Sequence, residues 1–556
     1  MKALAMKALT DALIGKVDAF LKESFSAEQC DGGDEAEIAI CEAIEVIIRR
    51  RRNQRLVFSR LPSDIIHCVF SLALDLDRIH EPDLPLDVLD DHRKQLFRMR
   101  CVSVTWNEFL VSGPRYWPAV NLRTPPDILK TNIRRAAEAP LCIYSTNPKE
   151  RRRETTPDPL DELVLLAFMA QVRTIRSHNE EFLPLWKGLL QCSMSMLETL
   201  DVTEHSSWDT MSSPSPAEWL SGTMPMIRNI MARGWQPQSN AAWLGSLKSL
   251  VFSRPTIADM NMLRILSQCS SLSSLRIEVD GWDLDEEEPT DSYPNIVLPN
   301  LRKLELEFDV LQGVLPLVRR LHIPHSAQRS LNIMFAPQSE EDVEDLVHFI
   351  FPEGTVSKLP TNPLLQIHNF SRHPLRVTYT AGARSITFPV PDRFEEWDLL
   401  ENIIIVIQNR LNNPPFAVEL DSSTNIQAST LRRLGNLNIQ RIRAKCLEGH
   451  FDNFLAAIGS RHETLPSGGT VGDDHNWPFE SLRELTIERT DFPHIQLARL
   501  VGIRRGHLRT TSKEWLKLIT LIECNLRGMY LSSTILQLRN MGVTLVAEGC
   551  REPDQK

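Results

Sequence analysis

From about Leu160 onward, short segments of the form L-x-x-L-x-L recur, with other aliphatic residues replacing Leu at some places. They are Leu197/Leu200/Val202, Leu247/Leu250/Phe252, Leu272/Leu275/Ile277, Leu301/Leu304/Leu306, Val318/Leu321/Ile323, Leu434/Leu437/Ile439, Leu482/Leu485/Ile487 and Leu516/Ile519/Leu521. No other feature narrows the fold as much. The last two residues of each triad alternate, so on a strand both point to one face. A single unit of this kind buries too little apolar surface to stand alone, and stacking makes its strand part of a shared core. Six of the eight begin with Leu and carry Leu at the fourth place, where a Leu-rich composition alone gives about two. Starts at 197, 247, 272 and 301 lie 50, 25 and 29 residues apart. With a period of about 20–29 residues, the first gap has room for two units. Between Pro324 and Thr430 no convincing unit occurs, so either the repeats are irregular or that stretch folds differently.

The block upstream reads as helical. Leu61-Pro62-Ser63-Asp64 starts a helix, because proline's missing N–H costs nothing in the first turn and Asp64 complements the positive end of the dipole. Ile65, Ile66, Val69, Phe70 and Leu72 then give one broad apolar face. Acidic, Pro-containing residues from Asp75 to Asp91 read as a loop. Leu96, Phe97, Met99 and Val102 mark a second helix. Trp106, Phe109 and Leu110 mark a third, ended by Ser112-Gly113-Pro114. Beyond Pro125, Ile128, Leu129 and Ile133, followed by Pro140-Leu141-Cys142-Ile143, predict a helix feeding a short strand. Lys149–Asp158 suits an exposed linker. Residues 1–48 read as helices, dense in Ile from Ile38 to Ile48. The basic run Arg49–Arg52, with Arg55, reads as a solvated helix end, with nuclear import or anion binding as the alternative.

The 556 residues exceed one ordinary core and imply two or more domains. A net charge of −10 argues against a general phosphate-binding surface, so no nucleic-acid partner is expected. No apolar run nears the ~20 residues that cross a bilayer, and the N-terminus lacks a secretion signal, so no membrane is expected. The ten cysteines form no C-x-x-C pair, and several sit inside apolar patterns. That usage suits a reducing compartment, cytoplasmic or nuclear. Phosphate-loop, zinc-protease, nucleophile-elbow and dinucleotide motifs are all missing. The chain reads as a non-enzyme without cofactor or metal. His322 and His325 read as structural, and the Asn369-Phe370-Ser371 triplet has no consequence in a reducing compartment. The loops Trp282–Asp291 and Pro466–Asp474 read as solvated insertions.

Residues Arg60–Leu122 resemble an F-box. The residues that carry the resemblance are Leu61-Pro62-Ser63-Asp64-Ile65-Ile66, Val69-Phe70, Met99-Arg100-Cys101-Val102-Ser103-Val104-Thr105-Trp106 and Ser112-Gly113-Pro114-Arg115-Tyr116-Trp117. Pro140–Ile143 is similar to what fungal members carry after the box. Asp64 stands for the commoner Glu, Thr105 for a basic residue, and Tyr116 for Leu. The gap between the first two helices is also longer than in animal members. The downstream segments are similar to leucine-rich repeats, with Cys524 at the Asn/Cys position of that pattern.

Together these predict an α+β chain: an all-α F-box followed by an irregular α/β leucine-rich-repeat-like solenoid. The expected parts are a helical N-terminal region (1–57), the F-box (58–123), a linker and connecting helix (124–158) and a substrate-binding domain (159–550). The resemblance implies binding to a Skp-type adaptor, and through it to a cullin and a RING subunit, as a substrate-recruiting part of a ubiquitin ligase. Leu61, Pro62, Ile65, Ile66 and Phe70 are then adaptor contacts. Val102, Trp106 and Trp117 divide between contact and internal packing. Three short helices of ~40 residues barely hold a core, and a partner's helices would complete it. Between the inward triad positions lie Asp201, Val251, Arg276, Glu305, Asn438, Thr486 and Thr520, candidates to touch a basic or polar segment of a protein substrate. The rival readings are a scaffold acting outside the ligase and an enzyme with a site assembled only in three dimensions.

Overall fold

The computed structural model describes residues 61–145 except 83, 167–178, 189–203 except 191, 224–253 except 236, 260–279, 295–308, 311–333, 340–352, 363–368, 376–389, 415–420, 437–445, 481–508, 516–527 and 531–551, with a few isolated positions elsewhere. The basic run near residue 50, the 149–158 linker, the loops 282–291 and 466–474 and the Asn369 triplet lie outside these residues, as does nearly all of 1–57. The chain is mixed α/β with a large, mostly parallel sheet. It divides into two compact units, Met1–Ile175 and Arg176–Lys556.

In the first unit α1 (Ser63–Ala73), α2 (Leu86–Arg100) and α3 (Val104–Ser112) precede β1 (Ala119–Asn121), α4 (Pro126–Ala136), β2 (Leu141–Ser145) and β3 (Val172–Ser177), whose last residues belong to the second unit. Each boundary has a local cause. Pro62 precedes α1, and Asp75 leaves the helix in the left-handed region at φ 49°. The Ser103 hydroxyl caps α3 by accepting from the Trp106 N–H at 3.1 Å. Gly113 ends α3 where a Cβ would lie 2.6 Å from the Tyr116 ring. The stretch expected as a loop to Asp91 instead turns helical at Leu86. Leu89, His92 and Leu96 point inward along one stripe while Asp87 and Asp91 face out, so an acidic composition conceals an amphipathic helix. Ile79 and Leu84 of the remaining loop are buried with Leu89, Ala119, Cys142 and Tyr144. β1 and β2 pair in parallel. The Asp90 carboxylate ties α2 to them, accepting from the Asn121 amide at 2.9 Å and the Tyr144 hydroxyl at 3.0 Å.

The second unit contains β4 (Thr199–Thr203), β5 (Asn229–Arg233), β6 (Ser249–Ser253), α5 (Met260–Gln268), β7 (Ser274–Val279), β8 (Ile296–Val297), β9 (Lys303–Phe308), α6 (Leu311–Arg320), β10 (Leu321–His322), β11 (Gln328–Ile333), α7 (Glu340–Ile350), β12 (Leu364–His368), β13 (Arg376–Ala381), β14 (Arg384–Pro389), β15 (Phe416–Leu420) and β16 (Ile439–Lys445). It continues through β17 (Glu484–Glu488), β18 (Asp491–Pro493), α8 (Ile495–Leu508), β19 (Leu518–Ile522), β20 (Asn525–Arg527), α9 (Leu531–Asn540) and β21 (Thr544–Glu548). β4, β5, β6, β7, β9 and β11 pair successively in parallel. Their register aligns Leu200, Ile230, Leu250, Leu275 and Leu304, all buried. β15, β16, β17, β19 and β21 form a second parallel run that aligns Val418, Ile442, Leu485 and Ile519. Cys524 donates its thiol proton to the Ile487 carbonyl, 3.3 Å away in the preceding unit. Two short pairs, β8–β10 and β18–β20, stand apart from the main sheet.

The structure decides three expectations here. The 50-residue gap holds two units, as its length allows: among the described residues β5 lies between β4 and β6, with Ile230 and Ala232 inward. The Val318 triad is not a ladder strand: Val318 belongs to α6 and Leu321 to β10. The true strand is β11, with the buried Arg329 where the pattern wants Leu. Burial lowers Arg329 to about 10, and its guanidinium donates to the Phe349 and Pro324 carbonyls. The third concerns the region without visible repeats, which folds differently from the ladder. β11 pairs with β14 in parallel; β14 pairs with β13, and β13 with β12, both antiparallel; β12 then pairs in parallel with β15. The three inserted strands therefore lie in reverse order between the two parallel runs. Gly382 makes the two-residue β13–β14 turn, where its φ of 63° suits only a residue free of Cβ strain.

Candidate functional site

Two surfaces carry the residues singled out in the sequence. The first is α1. Its composition is strongly apolar, yet among its side chains Phe70 alone is buried. Ile65, Val69 and Leu72, at i, i+4 and i+7, are 44%, 39% and 80% exposed. That spacing puts them on one stripe of the helix. Pro62 is exposed, and Leu61 and Ile66 are half-buried. Val102, in the turn before α3, is 55% exposed.

Phe70, expected as a contact, is a core residue instead, and Trp117, expected to divide between contact and packing, is buried as well. The Phe70 ring is fully buried and meets Trp106 edge-on at 4.9 Å, Phe109 at 5.7 Å and Tyr116 at 6.1 Å. Trp117 donates its indole N–H to the Leu110 carbonyl at 2.8 Å under the Arg135 guanidinium, which sits 4.6 Å above its ring. Large aromatics outcompete other side chains for so small a core. Trp106 is half-buried. Beside this cluster, burial pushes Tyr116 up to about 12, and burial together with the Arg115 charge lowers His67. The Tyr116 hydroxyl is hydrogen-bonded to the His67 ring. Val69 and Leu72 were absent from the expected contacts, although their spacing from Ile65 was the available signal.

The second surface is the polar face of the strands. Arg276 and Glu305 lie there in register on β7 and β9, with Thr486 on β17. The acidic residues are already matched. Glu278 accepts from Ser253 at 2.6 Å and pairs with Arg276; Glu305 pairs with Lys303 at 2.7 Å; Glu307 accepts from Asn332 at 3.1 Å. Farther along, burial works to raise Glu419. Hydrogen bonds from Lys445 and Gln366, with the charges of Lys445 and Arg443, outweigh it and hold the carboxyl below its ordinary range. Asp201 does not belong on this open surface. It is fully buried, accepting from His178 at 2.8 Å, with Arg233 at 3.4 Å and Arg176 at 3.7 Å. Asn438 falls just before β16, which starts at Ile439 and turns Ile442 and Ala444 inward. Arg441 and Arg443 take the positions that the sequence pattern gave to Asn438.

Among the described residues, no group of three or more His, Cys, Asp or Glu is placed to hold a metal ion, and no helix is long and apolar enough to cross a membrane. An open depression of about 370 Å³ between α8 and α9 is lined by Ile495, Ala498, Arg499, Gln537, Asn540 and Met541, a set without a paired nucleophile and base. No known protein-family model matches this chain, and no curated protein matches it significantly in sequence.

Proposed function

We propose that this chain is an F-box, leucine-rich-repeat-like subunit that recruits protein substrates to a Skp-type adaptor, and through it to a cullin–RING ubiquitin ligase. One observation carries the reading: α1 leaves Ile65, Val69 and Leu72 uncovered beside a sealed aromatic core. A helix this apolar is ordinarily covered, and a partner's helices supply what the chain does not. Leu61, Pro62, Ile65, Ile66 and Val102 join Val69 and Leu72 as the docking residues. Phe70, Trp106 and Trp117 hold the helices in place from behind.

The strand face would take the substrate, with Arg276, Glu305, Arg441, Arg443 and Thr486 as its contacts. Its mixed charge suits a polar or basic protein segment that exchanges partners with the existing ion pairs. The mechanism is positional. Held on one scaffold, substrate lysines and the ubiquitin donor reach a high effective concentration without any bond between ubiquitin and this chain. Such a complex works in the cytosol or nucleus.

The test is reconstitution of the full chain with a purified Skp-type adaptor, cullin and RING subunit. Co-elution of all four supports the reading. Elution without the adaptor sinks it, and capture of the adaptor without the cullin leaves a scaffold outside the ligase.

A further inference from the structure

The last strand–helix–strand unit ends in a pair of facing thiols. Asn525 and Arg551 form an isolated parallel bridge. The Arg551 N–H donates to the Cys524 carbonyl at 2.9 Å, and the Leu526 N–H donates to the Arg551 carbonyl at 3.0 Å. The residues just before the bridge on the two chains are Cys524 and Cys550. Bridged parallel strands run about 4.8 Å apart, inside the Cα separation of about 4.4–6.8 Å that a disulfide spans. Each cysteine follows a left-handed residue, Glu523 at φ 52° and Gly549 at φ 64°, so the two chains bend alike at this point. The two turns are in close contact, since a Cβ on Gly549 would meet Glu523 at 3.5 Å. Cys524 is buried and Cys550 partly exposed, their thiols donate to the Ile487 and Glu548 carbonyls, and neither is in a disulfide.

We propose that Cys524 and Cys550 are a reversible redox pair, closed into a disulfide by a low-molecular-weight disulfide such as oxidised glutathione. The Cys550 thiolate is the accessible nucleophile. It attacks one sulfur of the small disulfide, whose S–S bond breaks, forming a mixed disulfide and releasing one small thiolate. Cys524 then attacks the Cys550 sulfur, the mixed S–S bond breaks, and the second small thiolate leaves. The two cysteine protons end on the two released thiols, and the two electrons lost by the cysteines reduce the small disulfide. Burial pushes Cys524 up to about 11, which fixes the order: the partly exposed thiol reacts first and the buried one resolves. The closed loop contains β20, α9 and β21, so oxidation pins the terminal unit to the sheet.

The experiment uses the full chain. It is equilibrated with oxidised and reduced glutathione at graded ratios, alkylated, digested with trypsin without reduction, and followed in parallel by hydrogen exchange. The expected product is peptide Leu518–Arg527 joined to Asn540–Arg551, with a mass about 2 Da below their sum. Exchange across Leu531–Glu548 should slow by on the order of a hundredfold on oxidation, the loop-closure effect expected for a loop of this size. Reductant should reverse it, and Cys550→Ser, a change at a partly exposed site, should abolish it. Recovery of Cys550 only as the glutathione adduct, linkage of either thiol to another cysteine, or unchanged exchange in the linked form would each overturn the proposal.

Discussion

Leu72→Lys separates a docking face from a packing face. Lys retains helix propensity and suits the C-terminal end of α1, so the backbone loses little. Leu72 is 80% exposed, so folding hides about one-fifth of a side chain whose full burial is worth about 1.5–3 kcal/mol. Its share in stability is then about 0.3–0.6 kcal/mol, while about 1.2–2.4 kcal/mol is left for a partner that covers the rest. The second figure corresponds to roughly 8- to 60-fold in Kd. Urea unfolding of the variant should therefore match the parent within about 0.6 kcal/mol, and calorimetric titration with the Skp-type adaptor should show the weaker Kd. Phe70→Ala is the contrasting control: the ring is wholly buried, and its loss costs about 3–5 kcal/mol of stability whatever the protein binds. An unaltered adaptor Kd for Leu72→Lys, or a stability loss above about 2 kcal/mol, would refute the reasoning, because either means that something of the chain's own already covers the stripe.

Two further outcomes follow from buried charge. Burial lowers His92 to about 4, and its ring nitrogens find no hydrogen-bond partner. The unfolded chain takes up this proton near pH 6.5 and the folded chain only near 4, so stability falls as pH drops through that window, by about 3 kcal/mol in all. Urea midpoints between pH 7.5 and 4.5 should slope less in His92→Leu, and identical slopes would reject the assignment. Asp201→Ala leaves Arg176 and Arg233 without their buried counter-charge and should cost about 3–5 kcal/mol, read as a lowered melting temperature.

The parallel ladder was legible wherever Leu occupied it: Leu200, Leu250, Leu275, Leu304 and Leu485 all fall on buried register positions. β5 was hidden because Ile230 and Ala232 fill the same places with different aliphatics. β11 was hidden because Arg329 is buried through its carbonyl partners, which lie elsewhere in the sequence. The antiparallel insert has no triad at all, since its hairpin depends on Gly382 and cross-strand pairing. On α1 the pattern found an apolar helix, but a period of 3.6 does not say which side the rest of the chain seals. That depended on Trp106, Phe109 and Tyr116 converging on Phe70 from later in the chain. Likewise Asp201 occupies an outward position by alternation and is buried by the Arg and His side chains gathered over it.

The reversed order of β12, β13 and β14 affects how the chain is made. An array of like repeats can add one unit at a time as each leaves the ribosome. Here the next strand to emerge after β11 is not its neighbour: β11 waits for β14, which begins at Arg384, 51 residues after Ile333. Until that residue is synthesised, β11 carries a row of unsatisfied amides and carbonyls that nascent copies on the same message can reach. Slowing translation across this interval should therefore raise the aggregated fraction of the product.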